Sequence, residues 1–232
     1  MDHIIKKQVS DFRLKHKLKR FEAIKTHELL KTLDVLTVFL PCNPLISGMA
    51  LKTGTHRFVM INSQHAVGRQ NFTICHEIYH LFVQEDFTSA QCATGTFDKK
   101  DKNEYAADLF ATYLMMPEDT VYGNIPEEEF ENKKISYETI INLEQKLGCS
   151  HTALLFRLKN LGIISAEQYN EMKADTIISK AAELGFDADL YKAGNENKII
   201  GDYEVLARKL FDKEKISESN YISLLQDIFK EV

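Results

Sequence analysis

The sequence predicts an α+β fold, and three observations carry that prediction. Short β-branched and aromatic runs between residues 34 and 62 are separated by Pro, Gly and Thr, the pattern of a small sheet. Two strongly apolar stretches follow, 72–82 and 101–116, with helical spacing and helical stop signals. From residue 126 onward only helical patterns remain. Strands gathered early and helices later describe a sheet covered by helices, with further helices appended.

The bulk properties narrow the class. The chain has 232 residues, 44% of them hydrophobic, with 14 Phe, enough for a sizeable core. A net charge of -5 excludes a uniformly basic nucleic-acid binder. No stretch approaches the apolar length of a membrane span. The segment Met1 to Gln8 has no apolar signal region, so a cytoplasmic protein is expected. Cys42, Cys75, Cys92 and Cys149 show no paired spacing and suit reduced thiols.

Taken in order, residues 3–33 form a helical, basic segment with Leu14, Leu18, Phe21, Leu29, Leu30 and Leu33 on an apolar face. Its Lys and Arg residues are expected to be a solvated face rather than an anion-binding arm. Asp34 to Leu40 is a strand ended by Pro41; Gly48 to Lys52 and Arg57 to Asn62 are two more around a Thr53-Gly54-Thr55 turn. Residues 84–100 are polar and aperiodic, a loop holding Cys92, expected as an ordinary free thiol although a ligand or redox role is chemically open. The acidic run 126–131 suits a helix N-terminus. Residues 135–164 resemble a helix-turn-helix: Ser136 opens one helix, Gly148-Cys149-Ser150 turns, and His151 to Leu161 follows, ended by Gly162. Leu154, Leu155, Leu158 and Leu161 are expected inside, and Thr152, Arg157, Lys159 and Asn160 outside. Three tail helices are expected near 166–184, 202–212 and 217–230. Domain boundaries are expected at 1–125, 126–165 and 166–232.

The chemistry concentrates in Phe72 to Phe82, which contains His76-Glu77-x-x-His80. Four-residue spacing on a helix stacks the two imidazoles on one face, close enough to share a metal ion. Glu77 is rotated away from that face, placed to reach a water rather than to complete the ligand set. A catalytic zinc needs a third protein ligand and one open position. Downstream, Glu104 and Asp108 share a helix face, with Asp101 as cap and Pro117 as stop. Glu104 can be the third ligand, and Asp108 can accept the other ring N–H of a ligand histidine. Ala106, Ala107 and Ala111 allow close approach of the two helices.

These residues resemble the gluzincin pattern and, more narrowly, the ImmA/IrrE family of metallopeptidases. The resemblance lies in Arg69-x-x-Phe72-Thr73-x-x-His76-Glu77-x-x-His80-Leu81 and in Glu104-x-x-Ala107-Asp108-x-Phe110-Ala111-x-x-Leu114-Met115-Met116-Pro117. The chain departs from it at Cys75, Tyr79 and Asp108, none of which removes a ligand. The resemblance implies a zincin-like core and a zinc-dependent endopeptidase that cuts a helix-turn-helix repressor, with His76, His80 and Glu104 on the Zn2+ and Glu77 as base. It also implies that an edge strand holds the peptide in extended form. Tyr79, Tyr105, Tyr113, His56, His65 and His151 are candidates to steady an oxyanion. The alternatives are a non-catalytic zinc-binding transcriptional regulator, with DNA contact through 135–164, and a toxin–antitoxin partner.

Overall fold

The computed structural model describes residues 1–228. Its elements, in order, are α1 (Asp2–Lys15), α2 (Thr26–Thr32), β1 (Leu36–Leu40), β2 (Gly48–Thr53), β3 (His56–Asn62), α3 (Val67–Phe82), β4 (Ser89–Cys92), α4 (Lys102–Met115), α5 (Glu118–Tyr122), α6 (Glu127–Glu131), α7 (Tyr137–Leu147), α8 (His151–Asn160), α9 (Ala166–Ala174), α10 (Ile177–Glu183), a 3-10 turn at Asp189–Tyr191, β5 (Ile199–Ile200), α11 (Tyr203–Asp212) and α12 (Glu218–Ile228). The fold is α+β, a five-stranded sheet with packed helices, followed by further helices.

The sheet runs β4-β2-β3-β1-β5. β1 and β3 are parallel, with Leu36 opposite Phe58, and β2 is antiparallel to β3, with Gly48 opposite Ile61. Val35, Phe39, Val59 and Ile61 are buried, which fixes the register because a one-residue slip would turn them outward. α3 crosses the sheet against β2 and β3, and α4 packs along α3. The expected alanines provide that approach: Ala107 and Ala111 are fully buried. Asp101 caps α4 by accepting from the Asn103 and Glu104 amides.

The two helices expected in the helix-turn-helix-like segment are α7 and α8, the second ending at Asn160 where Leu161 was expected. Ser136 and Ser150 cap their helices, and Gly148 adopts the left-handed conformation (φ 63°) that glycine tolerates at a helix end. Its buried leucines join the same core cluster as α3 and α4. Arg157 differs from expectation: it is buried, donates to the Met116 carbonyl and lies near Glu118.

Other differences have local causes. The segment 3–33 is two helices, because the chain folds back after Lys15 through Lys17 in the left-handed region (φ 55°). Arg13 is buried there, its guanidinium taking the carbonyls of Lys19, Glu22 and Leu114, while Leu14 points to solvent. β1 starts at Leu36, not 34, since Asp34 (φ 53°) closes α2. Residues 166–184 form two helices parted at Asp175-Thr176, and the loop 84–100 contains β4. The expected end of the last helix, 229–230, lies outside the described residues.

Candidate metal centre

The centre is built on α3, where every residue from Phe72 to Leu81 is buried. His76 and His80, one turn apart, bring their rings to 4.9 Å between centroids and their Nε2 atoms to 3.1 Å. The first turn of α4 supplies Glu104, with Oε2 3.2 Å from His76 Nε2 and Oε1 3.4 Å from His80 Nε2. Each imidazole is held from behind. Asp108 Oδ1 lies 2.9 Å from His76 Nδ1, and Gln84 Oε1 lies 2.5 Å from His80 Nδ1.

These outer partners decide the protonation pattern. A carboxylate and an amide oxygen accept, so both Nδ1 atoms carry hydrogen in the neutral rings. Both Nε2 atoms then present lone pairs to each other and to a carboxylate. Three acceptor groups then converge, an arrangement that a cation stabilises. Without metal the cation is a proton: burial disfavours a charged His76, but hydrogen bonds to Asp108, Cys92 and Glu104 outweigh it and raise its pKa well above the usual 6.5. Burial would raise Glu104, but hydrogen bonds from His76 and His80 and their charge hold its carboxyl down at about 2. Two imidazole nitrogens and a carboxylate form a donor set that fits a divalent metal such as zinc.

Glu77 follows His76 and is completely buried. One carboxyl oxygen accepts the thiol of Cys92 from β4, and the other, Oε2, has no partner. Burial raises its pKa, opposed by His76 and His80. Gly48 of β2 lies against this carboxyl: a Cβ there would sit 3.0 Å from Glu77 Oε1 and 2.7 Å from Thr73 Cγ2. The segment after β4 is tied to the same place. Thr94 Oγ1 meets Thr73 Oγ1 at 2.9 Å, and the Gly95 and Phe97 amides donate to the two oxygens of Asp108.

The five residues singled out from the sequence, His76, Glu77, His80, Glu104 and Asp108, are therefore neighbours. The oxyanion candidates are scattered. Tyr113 bonds Asp2, His65 bonds the Pro44 carbonyl, and His151 bonds Glu144 and the Met172 carbonyl. Tyr79 packs on Phe110 and His80, and His56 is exposed at the start of β3. Sequence reasoning missed Gln84, which four-residue spacing from His80 could have suggested, and Gly48, which nothing local signals. Cys92 was expected as an ordinary free thiol in a loop, with a ligand or redox role left open; β4 carries it to the base.

Helices presenting His, His and Glu beside a small mixed sheet define a class, the zincin-like metallopeptidases. The family model Peptidase_M78, described as the IrrE N-terminal-like domain, matches residues 30–159, and the chain belongs to that family. No curated protein matches the chain. The match runs from within α2 to within α8. It supports a metallopeptidase-type function with a protein substrate. No described helix is long and apolar enough to cross a membrane.

Proposed function

We propose that the chain is a zinc-dependent endopeptidase that cuts a helix-turn-helix repressor at one exposed segment. The observation that carries the catalytic part is the convergence of three metal-binding groups, His76 Nε2, His80 Nε2 and the Glu104 carboxylate, next to a buried carboxylate that lacks a full set of partners. His76, His80 and Glu104 would hold the ion, which when bound acidifies water and polarises the scissile carbonyl. Asp108 and Gln84 fix the two rings so that their Nε2 atoms stay aimed inward. Glu77 accepts the proton of the attacking water and hands it to the leaving amine. Burial raises its pKa above the usual carboxylate value. The buried surroundings exclude bulk water from this exchange.

The repressor part rests on the family resemblance. α8 offers little to DNA: Leu154, Leu155, Arg157 and Leu158 are buried, α9 packs against it, and Lys159 lies over Tyr169. This favours a packing or substrate-docking role for 135–164. The regulator reading keeps one observation in its favour, the Cys92 thiol beside Glu77, since a fourth protein ligand is the mark of a structural zinc site.

The test uses the purified chain, its Glu77→Gln variant, casein and a helix-turn-helix repressor. About one zinc per chain is expected in both proteins. Wild type should cut the repressor at one site, stop with a chelator and spare casein. Glu77→Gln should keep zinc and lose cleavage. Zinc lost from Glu77→Gln would place Glu77 among the ligands, and rapid digestion of casein with the repressor intact would overturn the substrate assignment. Specific DNA binding with no cleavage would support the regulator.

A further inference from the structure

Cys92 stands where a peptidase needs water. Its Sγ donates to Oε1 of Glu77, the carboxylate that the proposed mechanism uses as base. It also lies with His76 and Glu77 in a buried triad whose ligand atoms are all within 4.8 Å of one another. His76 belongs equally to the triad with His80 and Glu104, so one ring is shared by two sets of metal-binding atoms. The other oxygen of the same carboxylate, Glu77 Oε2, is buried and without a partner. Such an atom is costly unless something else binds there.

The backbone fixes the thiol. β4 pairs antiparallel with β2, Cys92 opposite Gly48 and Ser89 opposite Leu51, and the Cys92 carbonyl accepts the Ser47 amide at 2.8 Å. Because Gly48 has no side chain, nothing stands between β4 and the Glu77 carboxyl. β4 thereby covers the outer edge of β2, the strand next to α3 on which an extended peptide would otherwise add. The same four residues occupy the peptide's edge and deliver a soft ligand to the metal-binding face.

We infer that Cys92 is a fourth protein ligand of the resting metal centre, taking the coordination position of the water until β4 withdraws. The inference rests on the reading of His76, His80 and Glu104 as ligands. A thiolate and a divalent zinc or cobalt ion are well matched in softness. Coordination breaks the S–H bond and forms the S–metal bond. The proton passes to Glu77 Oε1, which already accepts that hydrogen bond, so proton and charge balance without a redox partner. With Cys92 in the water's place, the centre has no open position for the attacking water. β4 is suited to leave: it is four residues long, is an edge strand, and exposes Ser89 and Gln91.

The test reads the metal rather than turnover. The full chain is stripped with chelator and reloaded with one equivalent of Co2+ or Zn2+. With cobalt, wild type should show a near-ultraviolet thiolate-to-cobalt charge-transfer band. Cys92→Ser should lose that band while still binding cobalt, and Cys42→Ser and Cys149→Ser should keep it. X-ray absorption of the zinc-loaded wild type should show one sulfur at about 2.3 Å among lighter ligands. That measurement decides the matter even if Cys92→Ser fails to fold. One bound metal with only nitrogen and oxygen neighbours, or a band that survives Cys92→Ser, overturns the role of Cys92 and leaves the His76, His80 and Glu104 reading standing. No metal uptake by wild type overturns both.

Discussion

Asp108 serves two structures with one carboxylate. Oδ1 orients His76 and takes the Gly95 amide, and Oδ2 takes the Phe97 amide. Asp108→Ala should therefore weaken metal binding by about 10–100-fold, as loss of a partner behind a ligand does. Because two loop amides lose their acceptor, it should also lower stability by about 1–3 kcal/mol. Chelator competition and urea unfolding measure the two effects, and a change in affinity with none in stability would contradict the shared role. The metal-free protein should carry a pH signature of its own. Glu104 is depressed from 4.5 to about 2. A depressed carboxyl stabilises the fold above its unfolded pKa, and that contribution vanishes as pH falls from about 4.5 through about 2. His76 is raised, so its contribution is present below 6.5 and disappears as pH climbs through the elevated value. The two shifts describe one interaction and are not added. Urea midpoints of stripped wild type should fall at both ends more steeply than those of Glu104→Gln; parallel curves would refute the coupling. Residues of this kind were legible where the spacing is local: His76 with His80, and Glu104 with Asp108, are each one helical turn apart. Gln84 obeys the same spacing but follows a helix end, where sequence patterns give little guidance.

At the level of elements, β2 approaches α3 closely at Gly48. A methyl group there meets Thr73 Cγ2 at 2.7 Å, and Glu77 Oε1 and the Met60 carbonyl at 3.0 Å, and the Met60 carbonyl is backbone that cannot swing aside. Gly48→Ala should cost about 1–3 kcal/mol, the usual range for overpacking. It should also reduce peptide cleavage more than metal content, because it presses on Glu77 rather than on the imidazoles. Thermal unfolding and zinc analysis separate the two, and unaltered stability would contradict the crowding. β1, β2 and β3 were visible in the sequence because they are apolar and bounded by turn residues. β4 was not: Ser-Ala-Gln-Cys has no strand character of its own and becomes a strand only by pairing with Gly48 to Leu51. The two buried arginines were misplaced for a related reason. Arg13 and Arg157 look like surface residues until distant carbonyls, those of Leu114 and Met116, come within reach of their N–H groups.

For the whole molecule, the family match at 30–159 is smaller than the structure that supports it. Phe12 of α1 packs its ring 5.5 Å from Phe110 and 6.3 Å from Phe82, beside Ile5 and Val9 in the core. Phe12→Ala should cost about 3–5 kcal/mol. A fragment limited to 30–159 should fail to give a cooperative unfolding transition, whereas the full chain should give one; a sharp transition for the fragment would show that α1 and the tail are dispensable. The broad α+β layout was legible because strands and helices are segregated along the chain. The closure of the sheet was not, since β5 is two residues long and reaches β1 from the far side of the sequence. That closure bears on biosynthesis. Val38 pairs with Ile199, about 160 residues later in the chain. At roughly 5–20 residues per second, translation leaves β1 without this neighbour for on the order of ten to thirty seconds. Over that interval the nascent chain leaves the Thr37–Val38 edge of β1 unpaired, an edge that prompt synthesis of the tail covers.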